Sequence, residues 1–150
     1  MSKLKKSIII IGAISSGKST VAKNISEGYD IKIAPFGGYL NEYSLRNNLP
    51  SDRKSLQDLG DEFIKSKPEK FLLDVISFSG TEAESLIFEG VRHLVIFDLI
   101  KAHSVQSLSI FIDVPYDVRK ERYLLRSKDI DSHKSSQEFN ARNSHAVEME

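Results

Sequence analysis

Residues Gly12 to Ser19 read Gly-Ala-Ile-Ser-Ser-Gly-Lys-Ser. Two glycines with four residues between them, then Lys18 and Ser19, make the Walker A spacing, whose chemistry is the holding of a polyphosphate. Glycine lets the chain turn sharply, so that successive backbone N–H groups converge on phosphate oxygens. A helix that starts near Lys18 adds the partial positive charge of its N-terminus. On this reading Gly12, Ala13, Ile14, Ser15, Ser16, Gly17, Lys18, Ser19 and Thr20 hold a nucleotide. The Lys18 ammonium reaches the β- and γ-phosphates, and the Ser19 hydroxyl coordinates Mg²⁺.

Three further groups of residues have types suited to phosphate chemistry. Glu89-Gly90-Val91-Arg92 pairs a carboxylate for a metal ion with a guanidinium for an anion. A Mg²⁺ ion keeps most of its waters and takes few protein ligands, so Glu89 with Ser19 is a sufficient candidate pair. Arg119, Arg122 and Arg126 lie at helical offsets, so one helix face presents all three. Arg122 and Arg126 stand nearer the polar stretch that follows and are preferred as catalytic cations over Arg119. Arg46 and Arg53 flank the Asn47–Ser51 break as candidates for an acceptor phosphate. Tyr39, Tyr43 and Arg46 share a helix face that would offer an aromatic wall to a base.

These residues need a scaffold, and the periodicity supplies one. Ile8 to Ile11 form an apolar strand running straight into Gly12, and Val21, Ala22 and Ile25 repeat at helical spacing just after the loop. Further strands are expected at Ile31–Ala34, Ser85–Glu89 and Leu108–Val114. Helices are expected over 39–48, 52–66, 68–79, 93–103 and 116–126, with Pro68 suited to a first turn. Ser127–Ser136 is polar and aperiodic and reads as a mobile loop. Ser135 and Glu138 then form a capping box for a last helix. Strands alternating with helices mean a three-layer α/β/α fold on a mostly parallel sheet of four to five strands. The 150 residues fit one domain, with a lid-like segment at about 119–142.

Composition removes several classes. Lys plus Arg equals Asp plus Glu, 21 against 21, which argues against nucleic acid as a partner. There is no cysteine, so disulfides, thiolate zinc sites and a cysteine nucleophile are excluded. The four histidines show no ligand spacing. No apolar run nears membrane-spanning length, and Ser15, Ser16 and Lys18 interrupt the N-terminal one too early for a secretion signal. A cytoplasmic protein is expected, and nothing sets its oligomeric state.

Glu89-Gly90-Val91-Arg92 resembles the Asp-Gly-aromatic-Pro-Arg motif of nucleoside monophosphate kinases. It resembles more closely the Asp-Gly-x-Arg version of adenylate-kinase-like and dephospho-CoA-kinase-like proteins. Ile112-Asp113-Val114-Pro115 followed by Arg119, Arg122 and Arg126 is similar to the segment that leads into their lid. The resemblance runs over most of residues 7–126, with glutamate for aspartate and no proline in the acceptor motif. It implies a small P-loop kinase using Mg-ATP, with Glu89 helping to organise the metal and Arg92 gripping the acceptor phosphate. The expected function is therefore transfer of the γ-phosphoryl of Mg-ATP to a nucleotide, nucleoside or related small metabolite. The alternative is a regulatory nucleotide-binding module with little turnover.

Overall fold

The isoleucine run before Gly12 is the centre of the sheet. In the computed structural model, which describes residues 3–80, 83–129, 139–141 and 143, β1 spans Leu4–Gly12. It pairs in parallel with β3 (Ser85–Glu89) on one side and with β4 (Ser104–Ile112) on the other. β2 (Lys32–Ile33) pairs in parallel with β3, so the strand order is β2-β3-β1-β4. Strands flanked on both sides and covered on both faces carry near-continuous apolar runs, which is what Ile8–Ile11 and Leu86–Phe88 are.

The period of two sorts those runs between two cores. Ile9, Leu86 and Phe88 face a large cluster with Leu40, Phe63, Phe71, Leu72, Val75, Ile96 and Ile100. These come from α2 (Phe36–Arg46), α3 (Arg53–Ser66), α4 (Pro68–Phe78) and α5 (Leu94–Ala102). Ile10 and Ile87 face the opposite way, onto Ala22 of α1 (Lys18–Tyr29), with Ile8, Val21 and Ile25 packed around them. Helices therefore cover both faces of one parallel sheet, the expected three layers. Burying an isoleucine or leucine in this way is worth about 1.5–3 kcal/mol, so β1 and β3 are the best-anchored elements of the site.

Several boundaries differ from the sequence reading. β4 begins at Ser104 and ends at Ile112, rather than spanning Leu108–Val114. Ser104, Gln106 and Ser107 look too polar for a strand, but pairing with Leu4, Lys6 and Ser7 of β1 satisfies their backbone, and Ser107 meets Ser7 hydroxyl to hydroxyl. β2 is only two residues long, because Pro35 and the entry into α2 stop it. α2 starts at Phe36 rather than at Tyr39, so Gly37 and Gly38 lie in its first turn. α3 opens where Asp52 predicts it, the carboxylate accepting from the Ser55 N–H at 3.1 Å. α6 (Tyr116–Asp129) runs through Ser127, where a loop had been expected to begin.

Residues 139–141 and 143 are helical. Phe139 is fully buried between the rings of Tyr116 and Tyr123, which fastens this piece to α6. The rest of the expected loop, the capping box, and residues 130–138 and 142 of the expected lid lie outside the described residues. Four strands are present among the described residues, and no helix there is long and apolar enough to cross a membrane.

Candidate functional site

The turn from β1 into α1 has the backbone that the spacing of its glycines requires. Ser15 (φ 59°) and Gly17 (φ 96°) both sit in the left-handed region, which curls the segment back toward the start of α1. Glycine adopts that conformation without steric cost, whereas Ser15 holds it at some strain. Gly12 is needed for a different reason. A Cβ there would lie 2.5 Å from Ser16 Oγ and 3.0 Å from the Ile112 carbonyl oxygen, so the loop closes only over a bare backbone.

The loop is shaped to receive something. The hydroxyls of Ser15 and Ser16 are buried with no hydrogen-bond partner. α1 has no side-chain cap and no acidic residue of its own in its first turn, so the helix itself supplies no side-chain acceptor for its leading N–H groups. Lys18 folds back over the loop, 3.4 Å from the Ala13 carbonyl oxygen. Burial pushes its ammonium below the ordinary lysine range. Glu89 opposes that shift, and Arg92, Arg126 and Arg119 add to it. An ammonium that is desolvated and crowded by guanidiniums is short of negative charge, and a polyphosphate would supply it. These observations fit a nucleotide.

Glu89 is carried to the same point by β3. Its Oε1 accepts a hydrogen bond from Ser19 Oγ at 2.9 Å, joining the strand end to the first turn of α1. This hydroxyl–carboxylate pair suits a hard cation that takes its other ligands from phosphate and water. Among the described residues no group of three or more acidic, histidine or cysteine side chains could hold a metal by itself. The residues therefore fit Mg²⁺ arriving with a nucleotide, with Ser19 and Glu89 as its protein contacts.

Two cavities meet at Glu89-Gly90-Val91-Arg92. The first, with about 870 Å³ of open space, is lined by the loop, Lys18, Ser19, Arg53 and Arg126 as well. The second, about 560 Å³, lies on the α2–α5 side and is mostly apolar, walled by Phe36, Leu40, Leu56, Ile64, Phe71 and Ile96. Gln57, Asp61 and His93 are its polar lining, and Asp61 Oδ1 lies 3.3 Å from His93 Nε2. Gly90 holds φ at +80°, and the turn it makes lets one short segment border both spaces.

The candidate arginines separate. Arg92, Arg53 and Arg126 all line the loop cavity. Arg122 is exposed and lines neither cavity. Arg46 also lies away from both, its Nε 2.7 Å from Glu42 Oε1 in a surface pair one helical turn away. Tyr39 and Tyr43 turn into the core, Tyr39 against Phe71 and Phe78 and Tyr43 edge-on to Phe63, so they build no wall for a ligand. Aromatic walls come instead from Phe36, which follows β2, and from Phe71 of the buried stripe of α4.

Arg119, set aside in the sequence, proves to be the buried member of its trio. Its Nε donates to the Val114 carbonyl at 3.0 Å, and its Nη1 approaches the Ile14 carbonyl at 3.4 Å and Asn143 Oδ1 at 2.5 Å. It ties α6 and the C-terminal helical piece to the phosphate loop. The three arginines do share a helix, but the phase of that helix on the sheet decides which one faces inward.

Comparison with known proteins agrees with this fold. A family model described as an AAA domain matches residues 8–144. No curated protein matches the chain. Among solved structures, a gluconokinase from Sinorhizobium meliloti 1021 is similar with a TM-score of 0.55 and 15% identity. That match covers 95% of this chain and 75% of that one. A shikimate kinase from Aquifex aeolicus vf5 is similar with a TM-score of 0.53 and 21% identity, covering 93% of this chain and 79% of that one. At such identities the likeness is one of fold, which this chain shares with those two kinases.

Proposed function

The chain belongs to this AAA-domain family, and we propose that it is a P-loop kinase that transfers the γ-phosphoryl group of Mg-ATP to a small molecule, a nucleotide, nucleoside or related metabolite. The observation that carries the reading is the meeting of the two cavities at Glu89–Arg92. A phosphate-holding loop opens onto a second, chemically different cavity with mostly apolar walls. A module that only bound nucleotide would need no such chamber beside its γ-phosphate.

Phosphoryl transfer asks little covalent chemistry of a protein. It asks for alignment and for positive charge around the moving group. The loop amides and Lys18 would hold the β- and γ-phosphates, while Arg92 borders both cavities and Arg126 lines the loop cavity. A guanidinium suits that task because its planar fork engages two phosphate oxygens at once. Ser19 and Glu89 would hold Mg²⁺, which would supply neutralisation of phosphate charge. Burial lowers the Lys18 pKa and the neighbouring arginines add to that; a bound anion would oppose the shift, so cations that disfavour one another in the empty site would favour the loaded one.

The test is release of ADP from Mg-ATP by the full chain, measured with a panel of nucleoside monophosphates, nucleosides, gluconate and shikimate. Acceptor-dependent ADP, lost in Lys18→Ala, supports a kinase. Tight ATP binding with no turnover on any acceptor would support the regulatory module instead.

A further inference from the structure

We infer that the open edge of β4 is the seat of a second copy of this chain. The two β4 strands pair antiparallel about a two-fold axis, so that two four-stranded sheets join edge to edge. Among the described residues β4 is paired on one side only, with β1, and it ends the strand order. The inference is independent of the kinase reading, since Val105, Leu108 and Phe111 line neither cavity.

The edge itself is unprotected. Sheet edges that must stay single are usually short or bulged, or carry a charge or a proline that repels another strand. The opposite edge obeys that rule, because β2 is two residues long. β4 does not. It runs nine residues, about 30 Å, with no Asp, Glu, Lys, Arg or Pro among them. Val105, Leu108 and Phe111 stand 70%, 57% and 69% exposed along it, apolar surface that a covering strand would take from water.

The sequence of the strand is self-complementary in one register. When all nine residues of one copy pair with all nine of the other, Val105 lies opposite Phe111, Ser107 opposite Ser109, and Leu108 opposite its own copy on the axis. All three exposed apolar side chains are matched at once. Val105 and Phe111 share one face by the period of two, and Leu108 stands on the other, where its β1 partner Ile8 packs toward α1. An aromatic opposite a β-branched residue is a favourable cross-strand pair. The neighbouring two-fold registers leave Phe111 or Val105 beyond the end of the partner strand. Opposed pairs alternately exchange two backbone hydrogen bonds, about eight to ten along the strand.

Charge agrees with the direction. Lys101 and His103 precede β4 and Lys6 lies opposite Gln106, while Asp113 and Asp117 follow the strand. His103 is already held by Glu69 at 2.9 Å, which leaves Lys6 and Lys101 as the cations of that end. Antiparallel pairing lays each basic end beside an acidic one, and parallel pairing would set like beside like. With 21 basic and 21 acidic residues, the copies carry no formal net charge to hold them apart. The contact is isologous and closes at two copies. Because β4 ends at Ile112, whose carbonyl oxygen backs Gly12, the pairing also braces the phosphate loop.

Sedimentation velocity of the full chain, from low micromolar to submillimolar concentration, is the test. A concentration-dependent dimer with no larger species is expected. Leu108→Lys sets like charges opposite each other on the axis and should weaken the dimer roughly tenfold or more. Val105→Lys and Phe111→Glu should each weaken it too, and mixing these two variants should restore a heterodimer, because in this register the introduced charges meet. Circular dichroism checks the fold of each, and any one folded variant suffices to test the edge. A monomer throughout, assembly beyond two copies, or a dimer that the folded variants leave unchanged would overturn the inference. So would a mixture of the two charge variants that associates no better than either alone. None of these results touches the kinase reading, which stands or falls on ATP and acceptor.

Discussion

Ser19 Oγ and Glu89 Oε1 lie 2.9 Å apart although seventy positions separate them in the chain. β1 and β3 are neighbours in register, Ile10 opposite Glu89, so the end of one strand faces the turn that leaves the other. Each residue is unremarkable alone, and the pair makes a cation site only because the sheet is parallel. Both strands then end at the same rim, where ligands of such sheets collect.

That pairing predicts a specific loss. Glu89→Gln keeps the side-chain shape but removes the charge, so the benefit of Mg²⁺ to ATP affinity should largely disappear while metal-free ATP binding is kept or slightly strengthened. Ser19→Ala should lose the same benefit more weakly. Calorimetry with and without Mg²⁺ checks both, and an undiminished Mg²⁺ effect in Glu89→Gln would remove the residue from the metal site.

Lys18 should show opposite effects on stability and binding. Its pKa is lowered in the folded protein, chiefly by burial, so between the folded and unfolded values the unfolded chain holds more protons and stability rises with pH. Below the folded value the buried charge is a burden. Lys18→Met should therefore raise the melting temperature of the ligand-free protein at pH 7 and flatten its rise toward alkaline pH. The same change should weaken ATP by roughly 10- to 150-fold, the worth of one charge-assisted contact. Thermal melts across pH, paired with titration of Mg-ATP, measure both.

Gly12→Ala forces a Cβ to within 3.0 Å of the Ile112 backbone oxygen and 2.5 Å of Ser16 Oγ. Overpacking of this kind costs about 1–3 kcal/mol, a melting-point fall of roughly 2–12 °C for a chain of this size. Gly17→Ala meets open space and suffers only from its φ of 96°. Both should lose ATP binding, but only the first through a clash with β4. An unchanged melt for Gly12→Ala would contradict the closeness of loop and strand.

Arg119 and Arg122 should behave oppositely despite their shared helix. Arg119 is 8% exposed and donates to Val114, with Ile14 and Asn143 also within reach. Arg119→Ala should cost about 1.5–3 kcal/mol of stability, since hydrogen bonds of a charged group are lost from a buried place. Arg122→Ala should stay within about 0.5 kcal/mol, as exposed substitutions usually do. In the kinase assay Arg126→Ala should lower kcat/KM about tenfold and Arg122→Ala less than twofold, the former being worth about 1.4 kcal/mol. Denaturant melts and initial rates on the same variants decide it.

Tyr39 gives an alkaline limit. Burial, reinforced by the hydroxyl's hydrogen bond to Asp74 at 3.1 Å, raises its pKa from near 10 to about 12. The unfolded phenol ionises first, so the stability it contributes is complete below about pH 10 and is lost as pH climbs through 12. Tyr39→Phe should remove that part of the alkaline slope. Urea midpoints at pH 9, 10 and 11 would reveal it, and an identical slope in the variant would count against the Asp74 bond.

The chemistry of the phosphate loop, the central strand, the three-layer arrangement and most helix positions were legible in the residues themselves, because each rests on short-range rules. Glycine spacing dictates a turn, an apolar run dictates a buried strand, and a helical repeat dictates a covered face. What tertiary structure alone decided were facts of phase and proximity. Which of Arg119, Arg122 and Arg126 turns inward depends on how α6 lies on the sheet. That Arg46 is held by Glu42 while Arg53 reaches the cavity depends on where the 47–52 turn sends α3. Tyr39 and Tyr43 enter the core because α2 packs on α3 and α4, leaving Phe36 and Phe71 to wall the chamber. The strand β4 starts at polar Ser104 because ladder pairing with β1 satisfies a backbone that its side chains would not have marked as sheet. Periodicity reports which residues share a face; only packing sets what that face looks upon.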